Sequence, residues 1–241
     1  MLREIVGVGT ILAALSCRPA ANQATAASAQ SDTTGRRVVG ALQGDSVFVV
    51  ARGGTAQLEW TGQAREGPIV RWTSRDLVGA DPQLSIAFID GDSIPDLFWS
   101  VDHEEVVGGM VLFGTNTGAR QVFATDANAC APPELRDVNG DGRLDLLAYS
   151  AGVFPLETCR GDASTAACMA SVPANWATAW VQADSTFRDD PSLARGFYRR
   201  MATDYHEAAQ RVQDRLAGDC AAEVGARLET LSRRAAALAR G

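Results

Sequence analysis

The sequence predicts a mainly β protein, an antiparallel blade-like or sandwich β body followed by a C-terminal α-helical hairpin. Nine short runs rich in Val, Ile, Phe, Trp and Thr fill residues 38–188, divided by Gly, Asp, Asn and Pro. They follow one another too closely for the crossover helices of a parallel sheet. From Pro191 the apolar residues recur at steps of three and four instead, the period of an amphipathic helix.

The 241 residues, 46% of them hydrophobic, suffice for a real core. A net charge of −7 argues against a nucleic-acid surface, which needs clustered basic residues, and suits carboxylate-rich cation sites.

Residues 1–16 are expected to be a signal peptide rather than part of the fold. Arg3 precedes an apolar run from Ile5 to Leu15, too short to span a bilayer but the length of a secretory h-region. The run ends in Ala14-Leu15-Ser16-Cys17, which resembles a lipobox with Cys17 as the lipidated residue. Ser16 supplies the small residue before the cut, whereas Ala14 and Leu15 depart from the usual pattern. Residues 17–37 hold Ala, Ser, Thr and Gln but few large apolar residues, as a lipidated flexible tether would. These features imply an exported chain, held to a membrane through Cys17. With Arg18 rather than Asp after the cysteine, the outer membrane is the favoured destination in a double-membraned bacterium.

The β-rich domain spans residues 38–188. Its runs are VFVVA, AQLEW, IVRWT, LSIAFI, DLFWSV, GMVLFG, QVFAT, DLLAY and WATAWVQA. Residues 189–241 form the helical hairpin. Leu193, Phe197, Met201, Tyr205, Ala208, Val212 and Leu216 mark one apolar stripe; Ala221, Val224, Leu228, Leu231, Ala235 and Leu238 mark the second. Gly218 and Asp219 separate the two helices, and Gly225 weakens the second.

Beyond Cys17 the chain has Cys130, Cys159, Cys168 and Cys220. An even number in an exported chain favours disulfides, and four cysteines allow three pairings. Cys159 and Cys168 bracket a short polar stretch and are expected to pair, leaving Cys130 with Cys220. A zinc site is disfavoured, since no CxxC occurs and His103 and His206 are the only histidines.

The segment richest in chemistry is Asp137-Val138-Asn139-Gly140-Asp141-Gly142-Arg143-Leu144-Asp145. Side-chain oxygens fall at its first, third, fifth and ninth places, with the Arg143 carbonyl at the seventh. A hard cation such as Ca²⁺ takes about six to eight such oxygens. An EF-hand is excluded, because its twelfth place needs Glu and here holds Ala148, and because strands rather than helices flank the loop. A second copy lies 49 residues upstream, where Asp90, Asp92 and Asp96 match. Phe88 replaces the first Asp there and Ser93 the glycine, so weaker binding is expected. Gly44-Asp45-Ser46 is a fainter echo of Gly91-Asp92-Ser93 that lacks the rest of the pattern and reads equally as a plain hairpin turn.

A loop of this kind followed by a short apolar strand resembles the FG-GAP or VCBS repeats of exported bacterial proteins. Phe113-Gly114 echoes the name. The resemblance covers residues 38–155 and implies incomplete propeller-like repeats, with structural Ca²⁺ held by Asp137, Asn139, Asp141, Arg143 and Asp145. It extends the same role to Asp90, Asp92 and Asp96. It further implies a binding or adhesion module with a protein or glycan ligand; the alternative is a structural envelope protein with no dedicated ligand. A closed propeller needs about four blades, more than this length offers, so an open array is expected.

Catalysis is not expected. No Gly-x-Ser-x-Gly, dinucleotide fingerprint or P-loop is present. Asp92, His103, Glu104 and Glu105 are the one conceivable acid/base cluster, more simply read as a solvated turn.

Overall fold

The structure, a computed structural model, describes residues 36–52, 55–74, 83–103, 106–125, 129–151, 172–173, 175–216 and 218–241. The proposed signal and lipobox lie outside these residues, as do Cys159, Cys168, Glu104 and Glu105; of the proposed tether only Arg36 and Arg37 are described, and they belong to the first strand rather than to a linker.

Among the described residues the chain forms three antiparallel four-stranded sheets, each a meander in chain order. Sheet 1 holds β1 (Arg36–Leu42), β2 (Asp45–Arg52), β3 (Thr55–Ala64) and β4 (Gly67–Thr73). Sheet 2 holds β5 (Gln83–Ala87), β6 (Asp96–His103), β7 (Val106–Thr115) and β8 (Gly118–Ala124). Sheet 3 holds β9 (Ala129–Arg136), β10 (Asp145–Ala151), β11 (Asn175–Gln182) and β12 (Phe187–Arg188). A 3₁₀ turn at Pro191–Ala194 leads into α1 (Arg195–Arg215), and α2 (Gly218–Arg240) follows. No sheet closes on itself, so the body is an open set of blade-like units.

All nine expected runs are strands. The three that the sequence hides are β1, β12 and β9. Pro132 and Pro133 disguise β9, yet β9 is an edge strand, where a missing N–H costs least.

Alternation in each strand supplies apolar faces, and these stack into three cores. Val47, Leu58 and Trp60 of sheet 1 meet Leu97 and Leu112 of sheet 2. Val111, Phe113 and Phe123 of sheet 2 meet Leu146 and Phe187 of sheet 3. The rings of Phe113 and Phe187 lie 5.8 Å apart and those of Phe123 and Trp180 5.6 Å apart. The helices cover the remaining face of sheet 3, where Trp176 stacks on Tyr198 and Tyr205 of α1 at 6.4 and 6.3 Å. The Tyr198 hydroxyl accepts the Ala179 N–H, giving a partner to β11 beyond its short pairing with β12. The first sheet ends differently: Arg36 sits 4.0 Å over the Phe48 ring and pairs with Glu59. Helices thus cover one face of sheet 3, whereas sheet 1 carries this charged pair.

The helical stripes are close to expectation. Met201, Tyr205, Ala208 and Val212 are buried, but Tyr198 takes the inward place and Leu193 is 40% exposed. Gly225 is a contact point between the helices rather than a weakness. A Cβ there would meet the Gln213 side chain at 3.3 Å. Cys220 is disulfide-bonded to a partner outside the described residues, which corrects the expected bridge to Cys130. That pairing followed from elimination, and sequence spacing places no distance constraint on β9 and α2.

Gly109 sets the approach of sheets 2 and 3. A Cβ at this position would lie 2.5 Å from Pro133 Cγ and 2.8 Å from the Trp99 carbonyl oxygen, so a side chain must push β7 from β9. Gly109→Val should therefore cost about 1–3 kcal/mol, read as a lower urea midpoint with an unchanged slope. An unaltered midpoint would refute the close approach.

Candidate functional site

The loop at residues 137–144 joins β9 to β10, and the loop at 88–95 joins β5 to β6. Both leave and re-enter their sheets in one register, Arg136 opposite Asp145 and Ala87 opposite Asp96. In the third-sheet loop Asp137 accepts the N–H of Gly140 (2.6 Å) on Oδ1 and that of Gly142 (3.0 Å) on Oδ2. Asn139 Oδ1 accepts the Asp141 N–H at 3.0 Å, and Asp141 Oδ1 accepts the Arg143 N–H at 2.9 Å. Each polar side chain thus folds back on the amides that follow it, an Asx-turn habit. Gly140 and Gly142, at φ of 84° and 83°, supply the left-handed turns this curl requires. The second-sheet loop repeats the pattern 49 residues earlier. Asp90 Oδ1 accepts the Asp92 N–H at 3.0 Å, and Asp92 Oδ1 accepts the Ile94 N–H at 2.6 Å.

Beneath each loop a buried carboxylate opens the second strand. Asp145 accepts the Val138 N–H at 3.0 Å and, across the sheet, the Gln182 N–H at 2.9 Å. Asp96 accepts the N–H groups of Ile89 (2.6 Å), Asp90 (3.0 Å) and Gly114 (2.9 Å). Both are fully buried. Gly114 must be glycine, because a Cβ would lie 2.2 Å from the Pro95 carbonyl oxygen.

Sheet 1 has the same strut with a different partner. Asp45, 1% exposed, begins β2 and accepts the Gln63 N–H of β3 at 3.3 Å. In place of an eight-residue loop, β1 and β2 share a two-residue turn at Gln43-Gly44, both at positive φ, the type I′ geometry of tight hairpins. The missing loop amides are replaced by Trp60 Nε1 at 2.9 Å and by Arg71, whose Nε lies 2.5 Å from Asp45 Oδ2. Arg71 also donates to the Thr115 carbonyl of sheet 2. The structural counterpart of Asp45 is therefore Asp96 and Asp145, not Asp92. The tripeptide echo of Gly91-Asp92-Ser93 is an accident of composition.

The exposed oxygens of Asp137, Asn139, Asp141 and the Arg143 residue line one loop, while Asp145 sits below it with an N–H on each carboxylate oxygen. Among the described residues no three His, Cys, Asp or Glu side chains gather as a metal-holding group. The donors are nevertheless all oxygen, the chemistry a hard cation takes, and the curled loop presents them on alternate residues.

Amide donors, chiefly Gly140 and Gly142, hold the Asp137 carboxyl below the usual range. Burial raises Asp145 and Asp90, and pushes Asp96 up to about 6. A folded state that holds this proton more tightly than the unfolded chain is favoured where the group is protonated. The Asp96 contribution is therefore full below its ordinary value of 3.8 and is lost as pH rises through about 6. In chelator, melts at stepped pH should show wild type losing up to about 3 kcal/mol across this window relative to Asp96→Asn. Parallel pH profiles for the two proteins would refute a carboxyl whose burial outweighs its three amide donors. No family model, curated protein or solved structure matches the chain.

Proposed function

We propose that the chain is an exported, lipid-anchored binding module of the cell envelope, not an enzyme, whose sheet-joining loops take Ca²⁺ structurally. The observation that carries this reading is the repeated Asx loop, the same side-chain-to-amide hydrogen bonds recurring 49 residues apart over a buried aspartate. The likeness of this loop to FG-GAP and VCBS repeats supports the calcium assignment. Asp137, Asn139, Asp141 and the Arg143 carbonyl supply oxygens in the third-sheet loop, with Asp145 at its base. Asp90, Asp92 and Asp96 form the weaker copy. Two or three carboxylates in one short loop repel each other until a cation neutralises them, so the ion favours the folded loop. Cys17 holds the domain to the membrane, and the polar segment after it sets the domain at a distance from the lipid.

A ligand that binds only the folded state stabilises it by about 2.7 kcal/mol at a hundredfold excess over Kd. The melting temperature should therefore rise in calcium and fall in chelator. Asp141→Ala should remove most of that response and Asp92→Ala less, since Phe88 replaces the first aspartate of its loop. Magnesium should substitute poorly, because it demands tighter octahedral geometry. Superimposable melts in calcium and chelator, with no calcium found by elemental analysis, would overturn the calcium reading.

A further inference from the structure

Between the helix-facing side of sheet 3 and α1 lies a half-open cavity of about 610 Å³, within the size range of small-molecule sites. Its floor includes Phe197 and the nearly buried Met201. Around it stand three charges: Arg136 from the end of β9, and Arg200 and Asp204 one helical turn apart on α1. None of the three forms an ion pair among the described residues. Arg200 spends one N–H on the Val138 carbonyl at 3.3 Å and keeps the rest of its fork. Asn175 also lines the cavity, but its Oδ1 is shut off from solvent, out of a ligand's reach, and accepts no hydrogen bond. Leaving such an acceptor unmet costs about 1–3 kcal/mol. The Asn175 backbone carbonyl, by contrast, takes the Tyr205 hydroxyl at 2.5 Å.

These groups constrain what can enter. A purely apolar ligand would strip water from two guanidinium groups and return nothing. A simple anion would satisfy the arginines but sit beside Asp204. A cation would face two like charges. From this arrangement we infer that the cavity binds a zwitterionic α-amino acid with an apolar side chain. The carboxylate meets the planar forks of Arg136 and Arg200, which suit it better than any other side chain. The ammonium group donates to Asp204. The side chain lies on Phe197 and Met201. This names a ligand for the binding module proposed above and rests on that half of the reading; it does not need calcium in the loops.

The test is calorimetric titration of the full-length chain with L-phenylalanine, 3-phenylpropanoate and phenethylamine, in calcium and in chelator. L-Phenylalanine should bind at one site per chain, and the two analogues, each lacking one charged group, should bind at least about tenfold more weakly, a difference of about 1.4 kcal/mol. Arg200→Met should weaken phenylalanine and phenylpropanoate while sparing phenethylamine. Asp204→Ala should weaken phenylalanine and phenethylamine while sparing phenylpropanoate. Both substitutions fall on exposed positions of α1, so the ligand-free melt of each variant should match wild type. No binding of phenylalanine at millimolar concentration would overturn the proposal, as would equal binding of all three compounds or variants without this crossed pattern. The calcium dependence of the ligand-free melt, read on the same samples, judges the loops separately.

Discussion

A buried carboxylate at the head of the second strand is the constraint on which each sheet depends. Asp45, Asp96 and Asp145 occupy this place in sheets 1, 2 and 3, none more than 1% exposed. Taking such a group from water costs several kcal/mol unless donors surround it. Each one therefore fixes the backbone around it, accepting an N–H of the third strand through Gln63, Gly114 or Gln182. A strut of this kind ties the entry of the second strand to the end of the third. It sets the register from which the apolar faces are presented to the neighbouring sheet.

The three struts are satisfied in two ways, and the difference explains the loops. In sheet 1 the Arg71 guanidinium and the Trp60 indole surround Asp45, so a two-residue turn suffices. Asp96 and Asp145 have no such cation. Their donors come from the amides at the start of an eight-residue loop, and those loops carry the remaining Asx residues outward. The two loops also communicate across the sheet boundary. Gln182 gives its backbone N–H to Asp145 and its side-chain amide to the Ile89 carbonyl at 2.7 Å. One residue of sheet 3 thus supports the base of both loops, and a cation at either would act on a shared framework.

Much of this was legible in the sequence, because periodicity survives in one dimension. Alternation marked nine strands, and steps of three and four marked both helices. The loop pattern Asp137–Asp145 named its own polar residues. What the sequence concealed depends on neighbours in space. The prolines of β9 read as a break because nothing local says that the strand lies at an edge. Gly225 read as a weak point of its helix, and Gly109 and Gly114 gave no packing signal, whereas each marks a close approach of another segment. The hairpin turn at Gly44 was legible, but the role of Asp45 was hidden because its partner, Arg71, lies 26 residues away. Asp145 and Asp96 were read as ligands from loop spacing alone; burial gives them a structural task beneath the loop. The cavity under α1 has no sequence signature, since Arg136, Asn175, Arg200 and Asp204 come from three separate elements.

Native-state hydrogen exchange tests most directly whether buried carboxylates hold the sheets together. The amides of Gln63, Ile89, Gly114, Val138 and Gln182 should exchange far more slowly than the exposed loop amides of Asp141 and Arg143, which only fold back on their own loop. Asp145→Asn, which keeps one acceptor oxygen in place of two, should speed exchange at Val138 and Gln182 while leaving Gln63 protected behind Arg71. Exchange at Val138 and Gln182 as fast as at Arg143 in wild type, or unchanged by Asp145→Asn, would contradict the account.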